Sequence, residues 1–306
     1  MKTLVVLTGP TGVGKTALSL ALAQWLHSPV INADSRQIYR EIPIGTAAPT
    51  PEEQALVPHL FVGTRSLTDN YNAGTYEREA LAALSGLFDS QDTVLMVGGA
   101  MLYIDAVCNG LDDIPPVPQE LRNSLAAQYA RNGLEWLQKQ VLQADCDYFR
   151  TADTHNPQRL LHALEVTLAA GKPYSSFRRG TKKQRPFSVV KICLTRPREQ
   201  LYARINSRVD NMLAQGLLQE AERVMPLRHL NALNTVGYKE LFRYMDGEWT
   251  LPQAADMIRR NSRHYAKRQL TWFNADPDMH HLTLTDTNDD ITTVKQLIER
   301  QINNRI

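Results

Sequence analysis

The sequence predicts an α/β protein in which a parallel sheet is covered by helices on both faces and a helical subdomain is inserted. Short apolar segments rich in β-branched residues alternate with longer segments of helical periodicity, which is the pattern of strand and helix alternating in a parallel sheet. In the middle of the chain this alternation stops and only helical periodicity continues. The 306 residues, 43% of them hydrophobic, suffice for one large core and a smaller appended unit.

The predicted elements follow one another in a regular order. Strands are predicted at residues 3–7, 30–33, 93–97 and 187–194, and helices at 16–26, 76–88, 120–170, 198–273 and 292–304. A proline-rich connector follows residue 111, at Pro115, Pro116 and Pro118. We therefore predict a core formed by residues 1–111 and 187–306, interrupted by a helical insertion at 112–186.

Composition excludes several classes of protein. No apolar run reaches the roughly 18 residues of a membrane span, and strand-like sequence follows Met1 and Lys2 directly. We expect a cytoplasmic protein without a membrane partner. The three cysteines, Cys108, Cys146 and Cys193, lack the spacing of a zinc site, and we predict buried or half-buried thiols. Because the net charge is only +2, a nucleic-acid surface would need local clusters of positive charge.

A glycine-rich segment lies between the first predicted strand and the first predicted helix. It consists of Gly9, Pro10, Thr11, Gly12, Val13, Gly14, Lys15 and Thr16. This spacing is that of a P-loop, in which backbone N–H groups and the helix N-terminus bind phosphate, the lysine adds a positive charge and the threonine hydroxyl holds Mg²⁺. The sequence thus predicts a P-loop NTPase-like core that binds a di- or triphosphate, with Thr16 as the magnesium ligand.

A carboxylate is missing at one strand end and present at another. Nucleotide hydrolases of this fold expect an aspartate after a buried strand, but the strand at residues 93–97 is followed by Gly98 and Gly99. Asp34 instead follows the second strand, which places it at the same edge of a parallel sheet as the P-loop. Asp34 is therefore a candidate general base, and a helix cap is its alternative role.

Together with the P-loop, seven further segments resemble the tRNA dimethylallyltransferase family over most of the chain. In order they are Asp-Ser-Arg-Gln-Ile-Tyr (34–39), Ile-Gly-Thr-Ala (44–47), Val-Gly-Gly-Ala-Met-Leu-Tyr (97–103), Asn-Pro-Gln-Arg (156–159), Ala-Leu-Glu (163–165), Val-Gly-Tyr-Lys-Glu (236–240) and Tyr-Ala-Lys-Arg-Gln-Leu-Thr-Trp-Phe (265–273). The chain departs from the family pattern at Ala100, where threonine is usual, and at Pro43, where aspartate is usual.

The resemblance implies a reaction and its residues. The family transfers the dimethylallyl group of dimethylallyl pyrophosphate to N6 of the adenosine 3′-adjacent to the anticodon, in tRNAs that read codons beginning with U, and releases pyrophosphate. It implies that the P-loop, with Lys15 and Thr16, binds the pyrophosphate and that Asp34 takes the amine proton. Arg208 matches the arginine that stabilises the leaving group, and Arg204, one turn earlier, is the alternative.

The resemblance also implies contacts with the anticodon stem-loop of tRNA. The matching residues are Asp34, Ser35, Arg36, Gln37, Ala100, Arg122, Arg159, Leu160, Leu161, His162, Ala163, Asn234, Thr235, Val236, Gly237, Tyr238 and Lys239. Two basic clusters favour an RNA partner: one holds Arg178, Arg179, Lys182, Lys183 and Arg185, and the other Arg259, Arg260, Arg263, His264, Lys267 and Arg268. Either cluster could instead be a solvated face. We expect a monomer.

Other functions share parts of this pattern. A nucleoside or small-molecule kinase has the same strand, loop and helix but turns over ATP. A prenyltransferase acting on free adenine nucleotides needs the same donor site without the helical insertion. A non-catalytic RNA-binding protein would not need Lys15, Thr16 and Asp34 to be intact.

Overall fold

The computed structural model describes residues 2–285 and 289–304. Contacts divide the chain into two compact units, one made of Met1–Cys108 with Arg185–Ile306 and the other of Asn109–Gln184. No helix in the described part of the chain is long and apolar enough to cross a membrane.

The first unit contains a parallel sheet, six-stranded in the described residues. Its strands are β1 (Thr3–Thr8), β2 (Val30–Ala33), β3 (His59–Leu60), β4 (Thr93–Gly98), β5 (Ser188–Thr195) and β6 (Met279–Thr283). The strand order is β3-β2-β4-β1-β5-β6, and every pair is parallel. All residues of β1 and β2 are buried, as expected of strands covered on both faces. The predicted α/β class is confirmed.

The helices follow in chain order. They are α1 (Lys15–Leu26), α2 (Pro43–Thr46), α3 (Pro51–Leu56), α4 (Ala73–Ser90), α5 (Met101–Asn109), α6 (Gln119–Ala144), α7 (Cys146–Thr151), α8 (Pro157–Ala170), α9 (Arg198–Ala214), α10 (Leu217–Val224), α11 (Tyr238–Met245), α12 (Leu251–Asn274) and α13 (Asp289–Asn303). Helices α6 to α8 belong to the second unit, together with a 3₁₀ turn at Tyr174–Phe177.

The second unit has its own hydrophobic core. Leu137, Leu160 and Ala163 are almost completely buried in it. Gly133 interrupts α6 with φ 75° and ψ −172°, so this element consists of two helical segments. The buried carboxylate of Asp145 caps α7 by accepting the Tyr148 N–H at 3.0 Å, and it also binds Ser175. These contacts make the unit self-supporting.

The carboxyl ends of three adjacent strands meet at one edge of the sheet and position the site. The P-loop follows β1, Asp34 follows β2, and Gly98-Gly99 ends β4. Ala33 and Gly98 are paired in register. A Cβ atom at Gly98 would lie 2.1 Å from the Ala33 carbonyl oxygen, so only glycine permits this close approach. The strand that lacks a terminal carboxylate therefore packs directly beside the strand that carries Asp34.

Several features differ from the sequence predictions, and helices α2, α3 and α5 lie outside the predicted helices. Strands β3 and β6 were not predicted, since β3 has two residues and β6 contains two adjacent histidines in Met279–Thr283. Both pair with a stronger neighbouring strand at the sheet edge. The prediction that Cys146 is buried was wrong, because this residue begins α7 on the surface; Cys108 and Cys193 are buried as predicted.

Candidate active site

The P-loop joins β1 to α1 and exposes its N–H groups at the start of the helix. Gly14 precedes α1 with φ 111°, a left-handed conformation that favours glycine. The Val13 side chain is buried and anchors the loop in the core, whereas Thr16 is exposed. The Lys15 ammonium donates to the carbonyl oxygens of Gly9 at 2.9 Å and Pro10 at 3.0 Å. The loop is thus arranged as a binding site for phosphate groups.

Asp34 lies at the adjacent strand end and has two uses. Its Oδ1 accepts the backbone N–H groups of Arg36 at 2.8 Å and Gln37 at 3.3 Å, so it stabilises the turn at residues 35–38; no helix begins there, and the alternative role as a helix cap was wrong. Both bonds engage Oδ1, which leaves Oδ2 able to accept a further hydrogen bond. Burial and then the negative charge of Asp34 raise the pKa of Tyr265 to about 12. The carboxylate is therefore near the half-buried Tyr265 as well as near Lys15 of the P-loop.

Arg208 completes a charged cluster with Lys15 and Asp34. Burial lowers the pKa of Arg208, and the charge of Asp34 opposes this shift. Burial, and next the charge of Arg208, lower the pKa of Lys15 to about 8, while Asp34 raises it. Each of the three groups is thus close enough to shift the pKa of at least one of the others or to have its own pKa shifted. Two cations beside a carboxylate can bind an anionic ligand. The Arg208 guanidinium also donates to the Thr46 carbonyl at 3.3 Å.

The alternative arginine occupies a different position. Arg204 is exposed, and its Nε donates to the Gly12 carbonyl at 3.0 Å. Arg196 similarly donates from Nε to the Val13 carbonyl at 2.6 Å. Both support the loop through its carbonyl groups. Arg208, by contrast, is half-buried, donates to the Thr46 carbonyl and is electrostatically coupled to Lys15 and Asp34, which favours it over Arg204 as the cation that binds an anion here.

The predicted tRNA-contacting residues of the first unit differ in exposure. Asn234 and Lys239 are exposed, Ser35, Arg36, Thr235 and Val236 are half-buried, and Ala100 and Gly237 are buried. Gln37 donates from Nε2 to the carbonyl oxygens of Thr46 and Ala47, so it supports the segment that also contacts Arg208. One correction is needed: the Tyr238 side chain is fully buried and donates to Glu220 at 2.5 Å, which makes it structural.

The predicted tRNA-contacting residues of the second unit also differ in exposure. Arg159 is exposed, Leu161 and His162 are half-buried, and Arg122 lies 3.7 Å from the Glu165 carboxylate. Burial, followed by the charge of Arg122, lowers the pKa of His162. The side chains of Leu160 and Ala163 face the core of this unit. As a correction, these two side chains take packing roles and are not available to RNA.

The structure shows which side chains of the two basic clusters form ion pairs and which remain exposed. In the first, Arg185 forms a buried ion pair with Glu77 at 2.7 Å, and Lys183 pairs with Asp113 at 2.7 Å. Burial of paired charge is a structural role, so Arg185 is removed from the predicted RNA surface. In the second cluster, Arg259 pairs with Asp210 and Asp256, and the half-buried Arg263 donates to Asn206. The basic residues of this cluster that remain exposed on α12 are Arg260, His264, Lys267 and Arg268.

Two residues that touch the site were not assigned from the sequence. Glu220, with 0% exposure, accepts the backbone N–H groups of Ile44 at 2.9 Å and Gly45 at 2.7 Å. Gln269 is buried on α12 and contacts the P-loop. A signal for Gln269 exists in the sequence, since it occupies a helical stripe of otherwise apolar residues that includes Ile258, Ala266 and Phe273.

The lowered pKa of Lys15 predicts a pH dependence for anion binding. In the free protein the ammonium loses its proton as the pH rises past about 8, and a bound anion favours the protonated form. We expect the affinity for inorganic pyrophosphate to fall about tenfold between about pH 7 and about pH 9. Isothermal calorimetry measures this change.

The matched control is Lys15→Arg, whose guanidinium stays charged across this range. Its affinity should fall less steeply with pH than that of the unsubstituted protein, whatever its absolute value. Equal slopes for the two proteins would remove Lys15 as the titrating group.

Comparison with known proteins gives a consistent result. A family model described as IPP transferase matches residues 37–276. The chain is 54% identical to tRNA dimethylallyltransferase 1 of Phocaeicola vulgatus over 90% of this chain and 92% of the relative. It is 57% identical to tRNA dimethylallyltransferase 2 of Porphyromonas gingivalis over 90% of this chain and 91% of the relative.

Solved structures agree with this result. The tRNA isopentenylpyrophosphate transferase of Bacillus halodurans superposes with a TM-score of 0.73 at 32% identity, covering 99% of this chain and 98% of its own. A eukaryotic dimethylallyltransferase acting on tRNA superposes with a TM-score of 0.78 at 25% identity, covering 94% of this chain and 75% of its own. With a model that matches most of its length and relatives more than half identical to it, the chain belongs to the IPP transferase family.

Proposed function

We propose that the protein transfers the dimethylallyl group of dimethylallyl pyrophosphate to N6 of the adenosine on the 3′ side of the anticodon in tRNA. The observation that carries the proposal is the position of the P-loop after β1 and of Asp34 after β2 at the same sheet edge, with Lys15 bonded to the loop carbonyls and Arg208 to the Thr46 carbonyl. Two cations beside a P-loop suit a pyrophosphate, and a carboxylate next to them suits a base for the acceptor. The names of the relatives and solved structures support this choice.

The proposed reaction is a displacement at the first carbon of the prenyl group. The adenine N6 forms the new C–N bond, the C–O bond to the pyrophosphate breaks, and pyrophosphate leaves with the bonding electron pair. Asp34 accepts the proton released from the amine, as a base within hydrogen-bond reach would. Lys15 and Arg208 stabilise the negative charge that grows on the leaving oxygen. No phosphoryl transfer takes place, so no carboxylate is required after β4.

Magnesium is proposed as the metal that accompanies the pyrophosphate. The exposed Thr16 hydroxyl at the start of α1 fits this metal, because Mg²⁺ takes oxygen ligands and is usually held by one or two protein groups together with substrate phosphates. In the described residues, no group of three His, Cys, Asp or Glu side chains could hold a metal by itself. When bound, the ion would neutralise pyrophosphate charge.

The acceptor is proposed to be the anticodon stem-loop of tRNA. A base inside a stacked loop must turn outward to reach a buried donor. Exposed groups suited to hold the RNA include Asn234 and Lys239 beside the site, and Arg260, His264 and Lys267 along α12. Residues 260, 264 and 267 follow helical spacing and share a face. A monomeric enzyme in the cytoplasm remains the expectation.

The exposed face of α12 gives a prediction for RNA affinity. If Lys267 contacts a phosphate, Lys267→Ala weakens tRNA binding and reduces the slope of log affinity against log salt by about 1. Filter binding at several salt concentrations measures the slope. Lys295→Ala is the control, since it removes an equal charge from α13, where the ammonium lies 5.3 Å from the Trp25 ring. Identical slopes for the two variants would exclude Lys267 from the RNA surface.

A kinase and a prenyltransferase for free nucleotides are the alternative functions. The glycines that follow β4 weigh against a kinase, because no carboxylate stands there to organise a metal for phosphoryl transfer. One assay separates the three functions. The protein is incubated with Mg²⁺ and dimethylallyl pyrophosphate, and with unmodified tRNA or AMP as acceptor, and products are analysed by mass. Prenyl mass in tRNA alone supports the proposal, and prenyl mass in AMP overturns it. A parallel incubation with ATP in place of dimethylallyl pyrophosphate and without tRNA tests for a kinase, which would turn over the ATP.

A further inference from the structure

Gln269 is a buried polar residue on an otherwise apolar face of α12. Its side chain is 2% exposed, and the neighbours on the same stripe, Ala266 and Phe273, are buried hydrophobic residues. Burying an amide without hydrogen bonds is costly. A glutamine at such a position is therefore expected to bind specific partners, and it does.

The two ends of the amide bind two different segments at the catalytic edge of the sheet. Oε1 accepts the Thr11 N–H of the P-loop at 2.9 Å, and Nε2 donates to the Gly99 carbonyl at 2.9 Å. A Cβ atom at Gly99 would lie 2.5 Å from the Gln269 Nε2 atom. Glycine is thus needed at residue 99 for the amide to fit. The amide joins the loop after β1 to the turn after β4.

A hydrogen bond also joins the turn after β4 to strand β2, which precedes the candidate base. The Ala100 N–H donates to the Ala33 carbonyl at 3.0 Å, and Asp34 is the next residue. The connection therefore runs from Thr11 through Gln269 to Gly99 and Ala100, and then to Ala33. Each step is a single hydrogen bond or a single peptide unit, so the path leaves little freedom between the P-loop and Asp34.

The same contacts divide the P-loop into two parts. The Thr11 N–H is committed to Gln269, and the carbonyls of Gly9 and Pro10 are committed to Lys15 in the free protein. The first part of the loop is consequently fixed from both sides. Further along the loop the Val13 N–H donates to the Pro10 carbonyl at 3.3 Å, so the N–H groups of Gly12, Gly14 and the start of α1 are those left to bind phosphate oxygens.

We propose that Gln269 is a positioning residue that fixes the pyrophosphate-binding loop at a set distance from Asp34. It does not touch the reacting atoms; its effect is on the alignment of the donor with the base. Small misplacements matter in such a reaction, because an error of about 1 Å can cost on the order of 100-fold in rate. The role in alignment rests on the proposed function, whereas the role in holding the loop does not.

The test uses Gln269→Met and Gln269→Glu in the full-length protein. Methionine keeps the length and burial but loses both hydrogen bonds. We expect it to lower kcat for tRNA prenylation about 100-fold and the affinity for inorganic pyrophosphate about tenfold, with the Kd for tRNA changed less than twofold. A fall in tRNA affinity equal to the fall in pyrophosphate affinity would indicate general misfolding and would overturn the positioning role.

Gln269→Glu adds a pH dependence of pyrophosphate affinity that a purely structural role would not produce. A protonated carboxyl group reproduces both bonds, accepting from Thr11 and donating to Gly99, while the ionised form repels the Gly99 carbonyl. We divide the pyrophosphate affinity of this variant by that of the unsubstituted protein at the same pH. This ratio should rise several-fold as the pH falls from about 8 to about 6. Gln269→Met adds no ionisable group, so its own ratio shows how much of any pH dependence comes from Lys15.

The outcomes separate this inference from the proposed function. If the unsubstituted protein does not prenylate tRNA, the proposed function fails, and the pyrophosphate affinities still decide whether Gln269 holds the loop. If both variants bind pyrophosphate and prenylate tRNA as the unsubstituted protein does, the inference fails alone. A pH-independent ratio for Gln269→Glu, equal to that for Gln269→Met, would also contradict it.

Discussion

Replacing Asp34 by asparagine is expected to lower kcat for tRNA prenylation by about 10² to 10⁴, the range that a positioned general base contributes. Asparagine keeps a side-chain oxygen that can accept the Arg36 and Gln37 N–H groups, as the carboxylate does at 2.8 and 3.3 Å. The turn after β2 should therefore be preserved. The ability to take a proton from the acceptor amine is lost, together with the negative charge that raises the pKa of Lys15 and of Arg208.

Asp34→Ala separates the two uses of this side chain. It removes the acceptor of the two turn hydrogen bonds as well as the base, and loss of such a hydrogen bond costs about 1 kcal/mol. We expect lower thermal stability for Asp34→Ala and nearly unchanged stability for Asp34→Asn, with the same loss of transfer in both. Single-turnover prenylation and thermal unfolding measure the two effects. Full transfer by Asp34→Asn would remove Asp34 from the chemistry.

Replacing Arg208 by methionine is expected to lower kcat by about 10² to 10³, similar to the loss of one preorganised donor to a developing negative charge. Arg208 is positioned for this role by its bond to the Thr46 carbonyl and by its interaction with Asp34 and Lys15. Arg204→Met is the matched control. It removes an exposed arginine of the same helix that supports only the Gly12 carbonyl, and we expect a loss below about tenfold.

Arg208→Met should also change the titration of Lys15. Because the charge of Arg208 helps to lower the pKa of Lys15 to about 8, its removal raises that pKa. The fall in pyrophosphate affinity then moves to higher pH in Arg208→Met but not in Arg204→Met. A larger loss of kcat in Arg204→Met than in Arg208→Met would reverse the assignment.

Much of the fold could be predicted because its central strands are strongly patterned. Strands β1, β2 and β4 are short apolar runs followed by glycine or aspartate, and each is predicted within about one residue. Strand β6 could not be predicted in the same way. Met279–Thr283 has a weak pattern, and its strand conformation depends on pairing with β5, which is a tertiary effect.

The residues of the candidate site also fall into those that local sequence predicts and those that depend on tertiary contacts. The P-loop and Asp34 could be found because local sequence determines them: a glycine pattern before a helix, and an acid after a buried strand. Gln269, Glu220 and Tyr238 act through contacts with residues far away in the chain. The exposure of Lys239 is expected from its charge, but the complete burial of Tyr238 depends on its contact with Glu220 and could not be predicted from residues 234–239.

The central claim is that the protein transfers a prenyl group to one adenosine of tRNA. The most direct measurement is mass analysis of an unmodified anticodon stem-loop after incubation with Mg²⁺ and dimethylallyl pyrophosphate, combined with measurement of released pyrophosphate. The proposal predicts one added dimethylallyl group on the adenosine that follows the anticodon and one pyrophosphate per group transferred, with both products formed at least about 100-fold more slowly by Asp34→Asn. Pyrophosphate release without added mass in the RNA, or added mass at any other nucleotide, would contradict it.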